Sequence, residues 1–142
     1  MRPVWYEYPN VEDTWAIIEE FFVGSSILYA PKLTQPTPEQ VVAETQTVDY
    51  YLPEGSIWYD YQSGLASTQA GVWVTTDLAD TDQAIFVKGG SILPQLNHNG
   101  CESLLNCIND GLTLKMYLDG DQQAHGMLYV DDGETFNFQL PD

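Results

Sequence analysis

The sequence predicts a mainly β chain whose opening segment follows a different, α/β pattern. Tyr, Phe and Trp make up 13% of the 142 residues, and aromatic side chains favour strands over helices. Pro and Gly recur about every ten residues, which is the spacing of turns in an all-β chain. Short apolar runs end at these turns, so the middle of the chain is predicted to form a β-sandwich.

The opening segment is predicted to run strand, helix, strand, which is typical of α/β structure. Val4–Tyr6 is a short apolar run. Asp13 or Thr14 can cap a helix over Trp15–Phe21. Ser26–Ala30 is typical of a buried strand, and a proline follows it directly.

Residues 34–46 are predicted to be a linker, because they contain Pro36 and Pro38 and few apolar side chains. Residues 97–109 are polar and turn-rich and indicate a second boundary. Between the two boundaries the predicted strands are Val48–Leu52, Ile57–Tyr61, Val72–Val74, Ala84–Val87 and Ser91–Leu93. Beyond the second boundary, Leu112–Leu118 and Met127–Val130 are predicted to pair as a hairpin across Asp119–Asp121.

The charge of the chain argues against two classes of partner. The chain has four basic and 21 acidic residues, which gives a net charge of −17. A polyanion repels nucleic-acid phosphates and anionic membrane surfaces, so we expect neither as a partner. The acids are spread along the chain and indicate a solvated surface. No apolar stretch reaches the roughly 20 residues of a spanning helix, and no apolar signal segment follows Met1.

The two cysteines, Cys101 and Cys107, are separated by five residues. This spacing is compatible with a small disulfide loop, and equally with two free thiols, because the sequence does not settle the redox compartment. Neither His98 nor His125 stands at metal-ligand spacing from them. We expect both histidines on the surface and no cofactor.

Five stretches in order resemble glycoside hydrolase family 31. They cover nearly the whole chain, and together they are specific where each alone is weak. They are Met1–Pro9 (MRPVWYEYP), Phe22–Pro31 (FVGSSILYAP), Tyr51–Pro53 with Trp58–Tyr61 (YLP and WYDY), Phe86–Pro94 (FVKGGSILP), and Gly126–Phe136 (GMLYVDDGETF).

The resemblance implies a domain organisation. Residues 1–33 would be the last elements of a (β/α)8 catalytic barrel, with Phe22–Pro31 similar to its last strand. Residues 34–46 would be a linker and residues 47–96 a proximal β-sandwich. Residues 97–142 would form an incomplete distal β domain.

The resemblance also implies an activity for the parent protein, which is retaining hydrolysis of terminal α-linked glucose. The details are most similar to the glucosidase II catalytic α subunits, which act in N-glycan trimming. That similarity implies the endoplasmic reticulum lumen, with lysosomal or secreted locations as alternatives. The implied partners are the rest of the barrel, an oligosaccharide substrate and a regulatory β subunit.

The residues that catalyse the family's reaction are missing from the chain. In the family an upstream barrel supplies the nucleophile and acid/base Asp residues and the His and Arg that grip glucose, and none of those motifs occurs here. Lys88 stands where Arg is usual. The chain alone is therefore predicted to be inactive.

Acidic residues near the end of the chain invite two site hypotheses, and both are disfavoured. Asp131 and Asp132 are the one pair that suggests two catalytic carboxylates, but before Gly133 they are more typical of a structural turn. Crowding of Asp119, Asp121, Asp131, Asp132 and Glu134 would suit calcium, although the rest of an EF-hand loop is lacking.

The remaining candidate residues are aromatic or basic. Arg2 and Trp5 are the candidate contacts at the barrel end or substrate rim, and a structural ion pair is the alternative for Arg2. Tyr6 and Trp15 lie in the same segment. Trp58, Tyr59, Tyr61 and Trp73 are expected to pack in a core or between domains. Sugar stacking by them would instead indicate a non-catalytic carbohydrate- or protein-binding module.

Two further expectations concern exposure and backbone shape. Barrel elements without their barrel should leave apolar surface exposed at Val4, Trp5, Ile27 and Leu28. Lys88 should flank a bulge or tight turn that requires Gly89 and Gly90.

Overall fold

The computed structural model describes residues 1–97 and 111–129. In that part the strands are β1 Arg2–Pro3, β2 Phe21–Val23, β3 Ile27–Ala30, β4 Thr45–Tyr51, β5 Trp58–Asp60, β6 Ala66–Ser67, β7 Trp73–Ala79, β8 Ala84–Lys88, β9 Ser91–Leu96 and β10 Leu112–Tyr117. The helices are α1 Val4–Glu7 and α2 Pro38–Ala43, with a 3₁₀ helix at Glu12–Thr14. The fold is mainly β, as predicted.

The largest sheet joins the opening segment of the chain to the middle of it. Its six strands run in the order β1-β2-β3-β8-β5-β6, and every pair in it is antiparallel. The strands of a (β/α)8 barrel are parallel, whereas β3 has an antiparallel neighbour on each side. A place for residues 1–33 in a barrel therefore stays a prediction.

A second layer covers one face of this sheet and makes the predicted sandwich. Strands β4 and β7 form a separate antiparallel pair. Tyr50 of β4 packs on Phe86 of β8, with ring centroids 4.7 Å apart. The core between the layers holds the largest fully buried side chains, which include Trp58, Tyr51, Phe22, Leu28 and Leu52. Burial of these apolar side chains is the main source of stability.

Among the described residues, a third sheet consists of β9 and β10, paired from Ser91↔Tyr117 to Leu96↔Leu112. The prediction that Met127–Val130 pairs with Leu112–Leu118 is wrong for its described part. Residues 127–129 are not in a strand, and the partner of β10 is β9. His125 instead bridges Ser91 in parallel. The glycine turn after β8 brings β9 beside β10. Strand β9 therefore takes the position that Met127–Val130 was expected to hold.

The helix expected over Trp15–Phe21 is absent, and Val4–Tyr6 belongs to a short helix, not a strand. Thr14 explains the first error. Its side chain is buried, and its hydroxyl donates to the carbonyls of Tyr8 and Val11, at 3.1 and 2.7 Å. An N-cap hydroxyl must accept a hydrogen bond from a helix N–H, so Thr14 closes a 3₁₀ turn instead.

The linker contains a helix that the sequence interpretation missed. Thr37 caps α2: its hydroxyl accepts from the Gln40 N–H, at 3.3 Å, and its own N–H donates to the Gln40 side chain, at 2.9 Å. Pro38 occupies the first helical turn, where its missing N–H costs nothing. One of the two prolines that argued for a loop, Pro38, therefore belongs to a helix start.

The expected exposure of the opening segment is only half right. Val4 and Leu28 are fully buried, so the prediction is wrong for them. Leu28 faces Phe22 and Phe86 across β2 and β8, which supply the cover that a barrel was expected to give. Trp5 is 46% exposed, as predicted, and Ile27 is half-buried. In residues 1–97 and 111–129, no helix is long and apolar enough to span a membrane.

Candidate functional site

Three large aromatic side chains near the start of the chain remain exposed: Trp5, Tyr6 and Trp15, called here the N-terminal aromatics. Trp5 and Tyr6 meet edge to face, with ring centroids 6.4 Å apart. The Trp15 indole N–H donates to the Pro9 carbonyl, at 3.0 Å, although the ring is 60% exposed. Large apolar side chains grouped at a surface are typical of a contact region.

Arg2 lies within this group. Its guanidinium forms an ion pair with Glu7 and sits 5.5 Å from the centre of the Tyr6 ring. An exposed pair of this kind contributes little to stability, so its main effect is to hold Arg2 and Tyr6 together. Contacts of Arg2 and Trp5 with a substrate rim stay predictions.

A second group of aromatics packs in and beside the core. Trp58 is fully buried, and its ring centroid lies 6.1 Å from Tyr8 and 6.0 Å from Phe22. The Trp58 indole N–H donates to the Pro53 carbonyl, at 2.8 Å. The core prediction is confirmed for Trp58 and wrong for Trp73, which is 57% exposed. Packing of Trp73 between domains stays a prediction.

The turn at Gly89–Gly90 meets the expectation for glycine. A Cβ on Gly89 would lie 2.8 Å from the Leu118 carbonyl oxygen, which no side chain tolerates. Gly90 has φ +87°, in the left-handed region that favours glycine. Lys88 precedes the turn, and its ammonium lies 5.0 Å from the centre of the Tyr8 ring. The basic residue therefore joins the turn to the aromatic core.

Glu20 is a buried acid that the sequence interpretation missed. It is 3% exposed. One carboxylate oxygen, Oε1, accepts from the Tyr51 N–H at 2.7 Å, and Oε2 has no hydrogen-bond partner among the described residues. Burial raises the pKa of Glu20 to about 8. The signal was its position two residues before Phe22, since alternate residues of an extended chain share a face.

Tyrosines line a cleft on the opposite face of the six-stranded sheet. Strand β5, the turn after it and β10 enclose a space of about 340 Å³, bordered by Tyr59, Tyr61, Lys115 and Tyr117. The rings of Tyr59 and Tyr117 are 5.5 Å apart, and the Lys115 ammonium lies 4.8 Å from the centre of the Tyr61 ring. Tyr59 and Tyr61 were expected to pack in a core or between domains, and both are only partly buried.

The remaining site candidates give no centre in the part of the chain that is described. Asp119 uses Oδ1 to accept from the backbone N–H groups of Asp121 and Gln123, at 3.0 and 2.9 Å, so it stabilises a turn. His125 is exposed, as predicted. Within residues 1–97 and 111–129, no three His, Cys, Asp or Glu side chains lie close enough to hold a metal ion. The candidates His98, Cys101, Cys107, Asp131, Asp132 and Glu134 lie outside the described residues.

Known proteins with similar sequences are α-glucosidases. A "Probable glucan 1,3-alpha-glucosidase" of Oryza sativa subsp. japonica is 31% identical over 98% of the chain. "Neutral alpha-glucosidase C" of Homo sapiens is 31% identical over 97% of it. In both cases the chain spans 14% of the length of the relative.

Solved structures give the same family. A Flavobacterium johnsoniae GH31 dextranase complexed with isomaltotriose is 35% identical, with a TM-score of 0.56 over 68% of this chain and 11% of the dextranase. A glucosidase II α subunit is 25% identical, with a TM-score of 0.72 over 96% of this chain and 14% of the subunit. Residues 1–93 match the family described as "Glycosyl hydrolase family 31 C-terminal domain". The chain therefore belongs to glycosyl hydrolase family 31, in the region of the family's C-terminal domain.

Proposed function

We propose that this chain is the non-catalytic C-terminal part of a retaining α-glucosidase that removes terminal α-linked glucose. It would act as a scaffold that packs against a catalytic barrel located elsewhere in the sequence of the whole enzyme. The observation that carries the proposal is the match of residues 1–93 to the family's C-terminal domain, in a chain that lacks the family's nucleophile and acid/base motifs.

Retaining hydrolysis needs two carboxyl groups about 5–5.5 Å apart, one of them with a raised pKa. Glu20 has a raised pKa, yet it is buried among core side chains, where a sugar has no access. These facts favour a structural role for Glu20.

The N-terminal aromatics are the proposed contact with the barrel. They belong to the segment that comes first in the chain, and the barrel precedes the C-terminal region in the family that this chain resembles. Burial of aromatic side chains dominates the energy of such contacts. On this proposal Arg2 and Trp5 contact the barrel end, residues 34–46 link the opening segment to the proximal sandwich, and a distal domain begins near residue 97. Strands β1–β3 continue the sheet of β8, β5 and β6, so residues 1–33 pack with the sandwich.

The finer proposal is that the parent enzyme trims N-glycans in the endoplasmic reticulum lumen, with a regulatory β subunit. It is supported by the similarity to the glucosidase II α subunit and to neutral α-glucosidases. A related solved structure is a heterodimer of the glucosidase II catalytic subunit with the binding domain of its regulatory subunit. Lysosomal and secreted α-glucosidases remain the alternative assignment.

The alternative function is a non-catalytic module that binds carbohydrate or protein. Exposed aromatics in a groove would favour it. The burial of Trp58 argues against a binding module, whereas the exposure of Trp73 is compatible with one. The two functions are compatible, because a scaffold domain can also bind a ligand on a free face.

The test of the proposal is an activity assay on the purified chain with p-nitrophenyl α-glucoside. We expect no turnover above a buffer control. A second sample, with a glucosidase inhibitor added, separates enzymatic turnover from non-enzymatic release of p-nitrophenol. Turnover by the pure chain that the inhibitor abolishes would contradict the proposal, because it would require catalytic carboxylates within these 142 residues.

A further inference from the structure

The tyrosine cleft defined above is held in shape by hydrogen bonds that leave its wall free to contact a ligand. The Tyr59 hydroxyl donates to the Leu118 carbonyl, at 2.7 Å, which fixes β5 to the end of β10. The Tyr61 N–H donates to the Ile85 carbonyl, at 2.9 Å. The aromatic wall is thus anchored by its hydroxyl and backbone, and the rings of Tyr59 and Tyr61 stay partly exposed.

The turn that borders the cleft is equally well fixed. Asp60 Oδ1 accepts from both the N–H and the hydroxyl of Ser63, at 2.7 and 2.6 Å. The Gly64 N–H donates to the Asp60 carbonyl, at 2.8 Å, and Gly64 has φ +71°. This turn presents the exposed side chain of Gln62 at the mouth of the cleft. A pre-organised wall lowers the cost of binding.

Tyr61 also lines a second, apolar hollow of about 370 Å³, with Val23, Ile27, Tyr29, Gln83 and Ile85. Each hollow reaches the lower end of the range of about 300–1,000 Å³ that is usual for small-ligand sites. The second hollow is apolar with the Gln83 amide at its edge. The tyrosine cleft offers the Gln62 amide, the Ser63 hydroxyl and the Lys115 ammonium. The two together extend along the sheet on either side of one shared aromatic residue.

We propose that the tyrosine cleft binds a neutral oligosaccharide, with a sugar ring stacked on Tyr61 in place of the Lys115 ammonium, which lies 4.8 Å from the centre of that ring. Pyranose rings present apolar C–H faces and polar edges, which fit an aromatic wall with Gln62, Ser63 and Lys115 at its rim. The net charge of −17 disfavours an anionic ligand. The cleft lies on the face of the six-stranded sheet opposite the core, and it uses none of the N-terminal aromatics assigned to the barrel.

The experiment is NMR titration of the ¹⁵N-labelled 142-residue chain with maltotriose, an uncharged α-glucan fragment. We expect saturable shifts at Tyr61, Gln62 and Lys115, with a dissociation constant of about 1 mM or tighter. Tyr61→Ala should weaken binding by about tenfold, because it removes the stacking surface. Tyr129→Ala, at a tyrosine that is also exposed and does not border the cleft, is the matched control and should leave the affinity within about twofold.

A second variant keeps the test decisive if Tyr61→Ala fails to fold. Gln62→Ala changes an exposed residue, and we expect it to weaken binding about threefold through a lost hydrogen bond. The absence of saturable shifts, equal binding by Gln62→Ala and wild type, or binding of sodium glucuronate in place of maltotriose would each overturn the proposal. The proposed scaffold role is independent of this binding, because the binding needs no enzyme activity.

Discussion

Two groups of aromatic side chains differ in burial. Tyr8, Phe22 and Trp58 pack against one another in and beside the core, with ring centroids 6.0–6.1 Å apart. The N-terminal aromatics, Trp5, Tyr6 and Trp15, are about half exposed.

The difference shows that residue type does not decide where an aromatic packs. Tyr8 and Phe22 are covered because β1, β2 and β3 join the sheet of β8 and β5, which carries Trp58. The N-terminal aromatics have no such cover from the described residues. Exposed single apolar residues need no explanation, but three large rings in one segment indicate a surface that packs against something else.

The sharpest way to break this comparison is to remove one ring from each group. Trp58→Ala should lower the free energy of unfolding by about 3–5 kcal/mol, because it leaves a cavity and removes the hydrogen bond to Pro53. Trp5→Ala is the matched control and should change it by less than about 0.5 kcal/mol. Urea denaturation followed by circular dichroism measures both. Equal losses would mean that Trp5 also packs within this chain.

Glu20 extends the comparison from apolar to titratable groups. Its pKa is raised from 4.5 to about 8 in the folded chain, so the folded state holds a proton that the unfolded state releases between these pH values. Stability from this group is full below pH 4.5 and falls as pH rises to about 8, by on the order of 5 kcal/mol.

Glu20→Gln should therefore flatten the stability profile between pH 5 and 8, because an amide keeps the neutral shape at every pH. Glu19→Gln is the matched control, since Glu19 is the exposed neighbour, and it should keep the wild-type slope. Urea midpoints at several pH values provide the measurement. A steep profile that survives in Glu20→Gln would show that another group causes it.

The smallest expected effect lies at α2, which buries no side chain and so depends on local bonds. Thr37→Ala removes the capping hydroxyl and should destabilise α2 itself by about 1 kcal/mol, with little change in the free energy of unfolding of the whole chain. Thr68→Ala, at an exposed position, should cost nothing measurable. Loss of α2 helicity without a change in global stability would agree with a local role, whereas global unfolding would contradict it.

The strands were largely predictable from the sequence, because an apolar run between turn residues is a local signal that does not depend on the strand's partner. Thr45–Tyr51, Trp58–Asp60, Ala84–Lys88 and Leu112–Tyr117 lie close to their predicted positions. Their partners were not predictable: β3 pairs with β8, 54 or more positions along the chain, and no local pattern encodes a long-range pairing. The buried state of Val4 and Leu28 follows from that pairing.

The helices failed for a different reason. Thr14 and Thr37 look alike as capping residues, and only one of them caps a helix. Gln40 three residues after Thr37 completes a capping box, and this signal was in the sequence. At Thr14 the hydroxyl turns to buried carbonyls, which depends on burial that the local sequence does not reveal.

The most direct measurement of the central claim is the activity of a chimera. This chain would replace the matching region of the rice glucan 1,3-alpha-glucosidase, which is 31% identical to it, and hydrolysis of p-nitrophenyl α-glucoside would be followed. We expect an active chimera that loses at least about tenfold of its activity on joint substitution of Trp5 and Trp15 by Asp, through a contact energy of about 1.4 kcal/mol or more. Unchanged activity in that variant would contradict the proposal that the N-terminal aromatics pack against the catalytic barrel.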